Sequence, residues 1–307
     1  MFLRLSFILF IWMASLNAST SLKKSITSSN VYRKVIQLDK EILLIKEHFG
    51  ISKKPKYIDI QTKLLPRHTW QMSYELFVKI NILREKYNLP IIEPVNMEPT
   101  LELDSIFTYE QILRLIQEVK IVKFRFGIDK EIGDVGIYTN KTPTDVYNKL
   151  NILSREFDII NGNKFTPSYV FAEAVRIYED FDNIFKQLNI DDQITPPIKE
   201  NSQNTPTDSY NIALQLLESI KKIEINIKLD IVDFYAFKRE DITPSDVFEI
   251  TQIILAELQL FKAYIGLNHT ITRGAKKYYN KTPTDVSQML GWLLKKSNQL
   301  NIKLNRK

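Results

Sequence analysis

The sequence predicts an all-α protein made of two tandem, internally duplicated four-helix units, with eight long helices in total. Three observations lead to this prediction. Glycine is scarce, at 8 of 307 residues, whereas long side chains that favour helices are abundant. A short motif typical of helix starts recurs along the chain. The order of these starts in the first half repeats in the second half, as in a duplicated architecture.

The clearest copies of the motif lie in one phrase that occurs twice. Asn-Lys-Thr-Pro-Thr-Asp-Val occupies residues 140–146 and again residues 280–286. Threonine suits the N-cap position, proline suits the first helical position, and a carboxylate two residues later can reach back to the N-cap amide. Full and degenerate copies together predict eight N-caps: Thr27, Thr69, Thr108, Thr142, Thr166, Thr205, Thr243 and Thr282.

The spacing of the eight threonines predicts the duplication. Corresponding threonines of the two halves lie 139, 136, 135 and 140 positions apart. The two units are therefore expected to cover residues 19–162 and 163–307. The boundary falls in the short segment between Asn161 and Thr166, which would join the fourth and fifth helices tightly.

Apolar residues follow each start with helical spacing. After Thr142 they are Val146, Leu150, Leu153, Phe157 and Ile160, which is the 4-3-4-3 pattern of a packed helix. Residues that tolerate a left-handed backbone are expected to end the helices, namely Gly50, Asn88, Gly127, Asn161, Asn189, Asn226, Gly266 and Asn301. The other connections, 14–19 residues long, are expected to be ordered and packed on the bundle. Their length leaves open whether neighbouring helices are antiparallel.

The first 18 residues have the pattern of a secretory signal peptide, with a basic Arg4, an apolar stretch and small residues before Ala18. The alternative is an uncleaved anchor, although the apolar run is shorter than the roughly 20 residues that span a bilayer. The protein is therefore predicted to be exported, either periplasmic or secreted, with no transmembrane span after cleavage. Because the chain has no cysteine, its core must hold it together without disulfides.

The formal net charge is +6, and residues of both signs are interspersed. For an exported protein this favours an anionic envelope surface or another envelope protein as partner, or simply good solubility. An exported protein rarely meets nucleic acid, so no nucleic-acid partner is predicted.

The sequence contains no recognisable catalytic or cofactor motif, such as a nucleophile elbow, a zinc-protease motif or a phosphate-binding loop. The three histidines, His48, His68 and His269, do not have the spacing of metal ligands. We therefore predict no catalytic residues, no metal and no cofactor. A pair of carboxylates that meet only in space stays open, since sequence cannot exclude it.

The best binding candidate is the loop that precedes the fourth start of each half. Its residues are Tyr138, Asn140 and Lys141 in the first half, and Tyr278, Tyr279, Asn280 and Lys281 in the second. Tyrosine, asparagine and lysine together can stack on a sugar and bond its hydroxyls. The alternative is that the tyrosine packs on the bundle and the asparagine makes a local turn.

These observations predict a non-enzymatic, exported binding or scaffold protein of the cell envelope, because long helix faces and grooves suit a protein partner. One alternative is a helical bundle that binds a small molecule or glycan. The other is a hydrolase of envelope polymers that uses a carboxylate pair.

Overall fold

The computed structural model describes residues 25–57, 59–198, 203–232 and 241–305. Within these ranges every regular element is an α-helix, which confirms the all-α prediction. The predicted signal peptide, residues 1–18, lies outside the described residues. The helices are α1 (Ser28–His48), α2 (Pro66–Lys86), α3 (Ser105–Arg125), α4 (Pro143–Ile160), α5 (Pro167–Gln187), α6 (Pro206–Asn226), α7 (Pro244–Tyr264) and α8 (Pro283–Leu304).

Six helices begin directly after a predicted threonine. The N-cap residues of α1, α4, α5, α6, α7 and α8 are Thr27, Thr142, Thr166, Thr205, Thr243 and Thr282. Thr142 and Asp145 form a reciprocal capping box. The Thr142 amide donates to Asp145 Oδ2 at 2.8 Å, and the Asp145 amide donates to Thr142 Oγ1 at 3.2 Å. Hydrogen bonds from Thr142 lower the pKa of Asp145 although partial burial opposes the shift.

The predicted caps at Thr69 and Thr108 are wrong. Helix α2 begins four residues earlier than expected, with Leu65 at the N-cap, and α3 begins after Asp104. The Leu65 amide donates to His68 Nδ1 at 3.1 Å, so a histidine does what an aspartate does elsewhere. Thr69 and Thr108 are instead buried inside the first turns, where their hydroxyls bond each other at 3.0 Å.

Most helix ends have the expected left-handed residue. The backbone φ angle is between 53° and 82° at Gly50, Asn88, Gly127, Asn189 and Gly266. Three predicted ends are corrected. Asn161 has a right-handed backbone and Gly162 and Asn163 take the left-handed angles instead. Asn226 is the last residue of α6, and Lys228 is left-handed beyond it; Asn301 lies inside α8.

Helices α1 to α4 all run in the same direction, a point that the sequence left open. At one end the rings that follow α1, α2 and α3 meet, with centroid distances of 4.9 Å for Phe49–Phe126 and 4.6 Å for Tyr87–Phe126. At the other end Thr69 and Thr108 meet near the starts of α2 and α3. A helix of this length is about 30 Å long, so each of the connections 49–65, 87–104 and 126–142 returns along the whole bundle.

Helices α5 to α8 repeat this arrangement. Three hydrogen bonds between α6 and α8 show that these two helices run in the same direction, because early residues pair with early ones and late residues with late ones. The pairs are Ser209–Ser287 at 2.8 Å, Ser219–Ser297 at 2.8 Å and Asn226–Asn301 at 3.1 Å. In both sets the first helix packs against the third and fourth, and the second also packs against the third and fourth. The two sets thus share one pattern of neighbours, which is what the predicted duplication would produce.

Each set encloses a hydrophobic core. The first core includes Leu38, Phe77, Ile116 and Phe157, and the second includes Phe181, Leu216, Leu258 and Leu293. Full burial of one such side chain stabilises the fold by roughly 1.5–3 kcal/mol. Helices α2 and α7 are almost entirely buried, because they pack against each other as well as within their own sets.

Helices α2 and α7 run antiparallel to each other. Lys79, late in α2, donates to Ser245 at the start of α7, whereas His68 at the start of α2 meets Glu257 late in α7. The short link 161–166 between α4 and α5 reverses the chain and makes this arrangement possible. The predicted unit boundary at residues 162 and 163 falls in this link.

Candidate functional site

The first copy of the repeated sequence packs the start of α4 against the start of α1. Tyr138 packs edge-to-face on Tyr32 at 5.2 Å, and the Lys141 ammonium lies 4.7 Å from the centre of the same ring. The Lys141 amide donates to Ser29 Oγ at 3.0 Å. Asn140 has a φ of 57°, a left-handed conformation that asparagine tolerates better than most residues.

The second copy makes the same contacts in the second set of helices. Tyr278 packs edge-to-face on Phe171 at 5.1 Å, and the Lys281 ammonium lies 4.3 Å from that ring. The Lys281 amide donates to Ser168 Oγ at 3.1 Å, and Asn280 has a φ of 56°. The tyrosine, asparagine and lysine before each threonine therefore have structural partners of their own.

Tyr279 differs from Tyr138 and Tyr278 because its ring is exposed, whereas theirs are partly buried. Its side chain is 67% exposed and lies on a cavity of about 490 Å³ together with Asn280 and Lys281. The Lys277 ammonium lies 5.3 Å from the Tyr279 ring and is ion-paired with Glu85 of α2. Ligand binding at the repeated loops stays a prediction, and Tyr279 is the residue through which it can be tested.

A large cavity lies between the two cores. We call it the junction groove; its volume is about 1020 Å³, and it is lined by residues 95–102, by the first turns of α3, by Trp70 of α2, and by Ala263, Asn268 and His269. The sequence predicted an ordered connection here but not a groove. Prolines at 90, 94 and 99 restrict the backbone of this connection.

Several hydrogen bonds hold the connection 87–104 in place against α2 and α3. Asn81 exchanges two bonds with the backbone of Ile92, at 2.7 and 2.9 Å. Arg114 of α3 donates to the Glu93 carbonyl at 2.7 Å, and Arg84 donates to the Pro90 carbonyl at 2.6 Å. The connection that leads into one wall of the junction groove is therefore anchored by side chains of α2 and α3 that bond its backbone.

The junction groove exposes apolar side chains from both walls. Val95 is 56% exposed, Leu101 is 55% exposed and Phe107 is 41% exposed, while Trp70 lies buried beneath them. Single exposed apolar residues are ordinary, but three around one concave surface are typical of an interaction site.

Two buried amide groups of the junction groove have unused hydrogen-bonding capacity. Gln111 is 5% exposed, and its Oε1 lies within hydrogen-bond reach of Ser73 Oγ, which also reaches the Trp70 carbonyl, whereas its Nε2 has no partner within the described residues. In the same part of the chain Asn96 Oδ1 is a buried acceptor without a partner. Buried polar groups are nearly always hydrogen-bonded, so either an ordered water or a bound polar group is expected to pair with these two atoms.

A second cluster of interest is a carboxyl pair between the cores, formed by Glu224 of α6 and Glu257 of α7. Arg67 Nη2 donates to Glu257 Oε2 at 2.8 Å, and Arg67 Nε donates to Oε1 at 3.3 Å. His68 Nε2 also contacts Glu257. His68 Nδ1 lies 3.1 Å from the Leu65 amide nitrogen and 3.3 Å from the Leu65 carbonyl oxygen.

Near neutral pH the Glu224 carboxyl is protonated and the Glu257 carboxyl is ionised. Burial, together with the charge of Glu257 and a hydrogen bond to it, raises the pKa of Glu224 to about 10. Burial opposes ionisation of Glu257 as well, but His68 and Arg67 outweigh it and lower the pKa of Glu257 to about 2. Burial also lowers the pKa of His68, against the opposing effect of Glu257.

Other buried charges between the cores are paired. Lys79 donates to Ser154 Oγ at 2.6 Å and to Asp158 at 2.9 Å, and lies 3.0 Å from Glu75. Arg155 donates to Glu249 at 2.7 Å. Burial opposes the charge of Arg155, yet Glu249 and Asp246 raise its pKa above the ordinary arginine value. The Arg155–Glu249 pair joins the two sets of helices, whereas the contacts of Lys79 with Ser154, Asp158 and Glu75 lie within the first set.

Within the described residues, no group of three or more histidine, aspartate or glutamate side chains is placed to hold a metal ion. His48 stacks near Phe126 at 5.9 Å, His68 is buried against Glu257, and His269 is exposed at the junction groove.

Comparisons with protein-family models, with curated proteins and with solved structures find no significant match to this chain. In the part of the chain that the structure describes, no helix is both long and apolar enough to cross a membrane.

Proposed function

We propose that this protein is a non-enzymatic binding protein that holds a segment of a partner protein in the junction groove. The observation that carries the proposal is the set of exposed apolar side chains around one ordered cavity, Val95, Leu101 and Phe107. Water-exposed apolar surface of this kind is stabilised when a partner covers it.

The small-molecule or glycan alternative rests on two features. The volume of the junction groove, about 1020 Å³, is near the upper end of the range for small-ligand sites. The cavity beside Tyr279 offers an aromatic ring with amide and ammonium groups. A protein segment is favoured because the junction groove is bounded by two separate helical cores and by a connection that runs along it.

The Glu224–Glu257 pair supports the hydrolase alternative less well. Retaining glycosidases keep their two carboxyls about 5 Å apart and inverting enzymes keep them farther apart, whereas Glu224 and Glu257 hydrogen-bond directly. Both side chains are buried, and Glu257 is already engaged by Arg67. A structural role in joining the cores accounts for these contacts.

The proposed place of action is the cell envelope. Residues 1–18 have the pattern of a secretory signal, and the mature protein would be periplasmic or secreted. The proposed partner is another envelope protein, with an anionic envelope surface as the alternative that the positive net charge favours.

The test is capture of partners from the organism's own envelope fraction by the mature chain, followed by binding measurements with the purified candidate. The double variant Val95→Asp/Leu101→Asp should lose both capture and saturable binding. Ile302→Asp changes a side chain of similar exposure, 53%, on α8 and should lose neither. Equal binding by the wild-type protein and the double variant would refute the proposal.

A further inference from the structure

The rim of the junction groove is acidic. Glu98, Glu102 and Glu110 all line it, all three are exposed, and within the described residues none of them forms an ion pair. The chain as a whole has a net charge of +6, so this local excess of negative charge is opposite in sign to the average surface. The groove would repel acidic segments and attract basic ones.

The positive charge of Arg114, which also lines the groove, offsets only one of these three carboxylates, so the lining stays acidic. The Arg114 guanidinium lies 5.2 Å from the centre of the Phe77 ring and donates to the Glu93 carbonyl. It therefore supports the wall of the groove. His269 is the other basic side chain on the lining.

The floor of the groove offers the two hydrogen-bonding groups that a peptide backbone needs. Gln111 Nε2 is a buried donor without a partner, and Asn96 Oδ1 is a buried acceptor without one. A peptide unit carries one acceptor and one donor, its C=O and its N–H. A peptide segment therefore carries the complementary group for each atom, and its side chain can cover Val95, Leu101 or Phe107.

We propose that the junction groove binds a basic, amphipathic peptide segment of the partner, with apolar side chains on its floor and lysine or arginine side chains against Glu98, Glu102 and Glu110. This inference rests on the proposed function and adds the chemistry of the partner. The backbone of the segment would accept from Gln111 and donate to Asn96.

The experiment uses fluorescein-labelled peptides and the mature chain in a fluorescence-anisotropy titration. The basic probe alternates lysine with leucine and phenylalanine. Two matched probes replace every lysine by glutamate or by serine. The wild-type protein should bind the basic probe about tenfold more tightly than the serine probe, since three exposed charge pairs each contribute modestly. Raising the salt concentration should reduce this preference.

Protein variants identify the site. Glu98→Gln/Glu102→Gln/Glu110→Gln should lower affinity for the basic probe about tenfold and bring it to the level of the serine probe. Gln111→Met, which keeps the side-chain volume but removes the donor, should weaken the binding of all probes several-fold. Glu218→Gln on the exposed face of α6 is the control and should change nothing. Circular dichroism and melting curves establish that each variant is folded.

The outcomes separate this inference from the proposed function. If the serine probe binds as tightly as the basic probe, or the triple variant retains the preference, the basic partner is refuted, while loss of binding in Val95→Asp/Leu101→Asp keeps the groove as the site. Absence of any binding of the basic probe at millimolar concentration also overturns the inference. If the partner protein binds that double variant as well as it binds the wild type, the proposed function fails too.

Discussion

The carboxyl of Glu224 donates a hydrogen bond to the carboxylate of Glu257 where the first core has an arginine–glutamate pair. Arg84 and Glu224 hold the same position in α2 and α6, counted from the first residue of each helix, and Glu118 and Glu257 correspond likewise in α3 and α7. In the second core the missing cation comes from Arg67 of the first. The second core thus has Glu224 where the first core has Arg84, and this difference lies at the point where Arg67 of the first core contacts Glu257.

The raised pKa of Glu224 predicts a specific dependence of stability on pH. Between the ordinary value of 4.5 and about 10, the folded protein retains a proton that the unfolded chain has lost. The free energy of unfolding therefore falls as pH rises in this window, by at most about 1.4 kcal/mol per pH unit. Glu224→Gln cannot ionise, and its amide can still donate to Glu257. Its stability relative to the wild type should rise between pH 6 and pH 9 in urea titrations.

The control for this experiment is Glu218→Gln, which removes an exposed carboxyl from the same helix. Its stability curve should follow that of the wild type over the same pH range. Parallel curves for Glu224→Gln and the wild type would mean that Glu224 is ionised in the folded protein, and the shared-proton arrangement would be wrong.

Removal of the central carboxylate should be much more damaging. Glu257→Gln removes the carboxylate that pairs with the buried Arg67 guanidinium, and loss of one partner of a buried ion pair costs about 3–5 kcal/mol. Glu118→Gln is the matched change in the first core, where Arg84 also donates to the Pro90 carbonyl. Guanidinium unfolding should show the larger loss for Glu257→Gln; a loss no greater than that of Glu118→Gln would contradict the assigned role.

Local chemistry explains which parts of the fold were predictable. Thr142 and Asp145 bond each other within one turn, so their sequence alone predicts the helix start. The start of α2 was missed because its N-cap is Leu65 and the supporting group is His68, a combination with no strong sequence preference. Helix number followed from the recurrence of the start motif, and apolar residues at helical spacing supported it.

The direction of the helices and the junction groove could not be predicted in this way. A connection such as 49–65 is long enough either to return along a helix or to fold locally, and only packing decides between these. Trp70, Leu101 and Phe107 are apolar residues from α2, a connection and α3, and nothing in their spacing brings them together. The carboxyl pair likewise joins α6 and α7 with α2 of the other set.

The cap geometry makes a prediction for which the protein supplies its own control. Thr282 accepts a hydrogen bond from the Asp285 amide at 3.3 Å, whereas Thr166 occupies the same position at α5 without a side-chain cap bond. Thr282→Ala should lower the free energy of unfolding by about 1 kcal/mol. Thr166→Ala should lower it much less. Urea unfolding of the two variants measures the difference, and an unchanged midpoint for Thr282→Ala would count against the cap.

The repeated loops allow structure and binding to be separated by two adjacent tyrosines. Tyr278→Ala removes the edge-to-face contact with Phe171 and should lower stability by about 1 kcal/mol from that contact alone. Tyr279→Ala changes an exposed ring and should leave the melting midpoint within the scatter expected for surface substitutions. If the loop binds glycan, Tyr279→Ala and the double variant Tyr278→Ala/Tyr279→Ala should both lose retention on the envelope polymer. If the folded Tyr279→Ala and Tyr278→Ala/Tyr279→Ala variants are retained as well as the wild type, the loop has a structural role alone. The contacts of Tyr278 and Lys281 with Phe171 already explain why both copies contain the same residues in the same order.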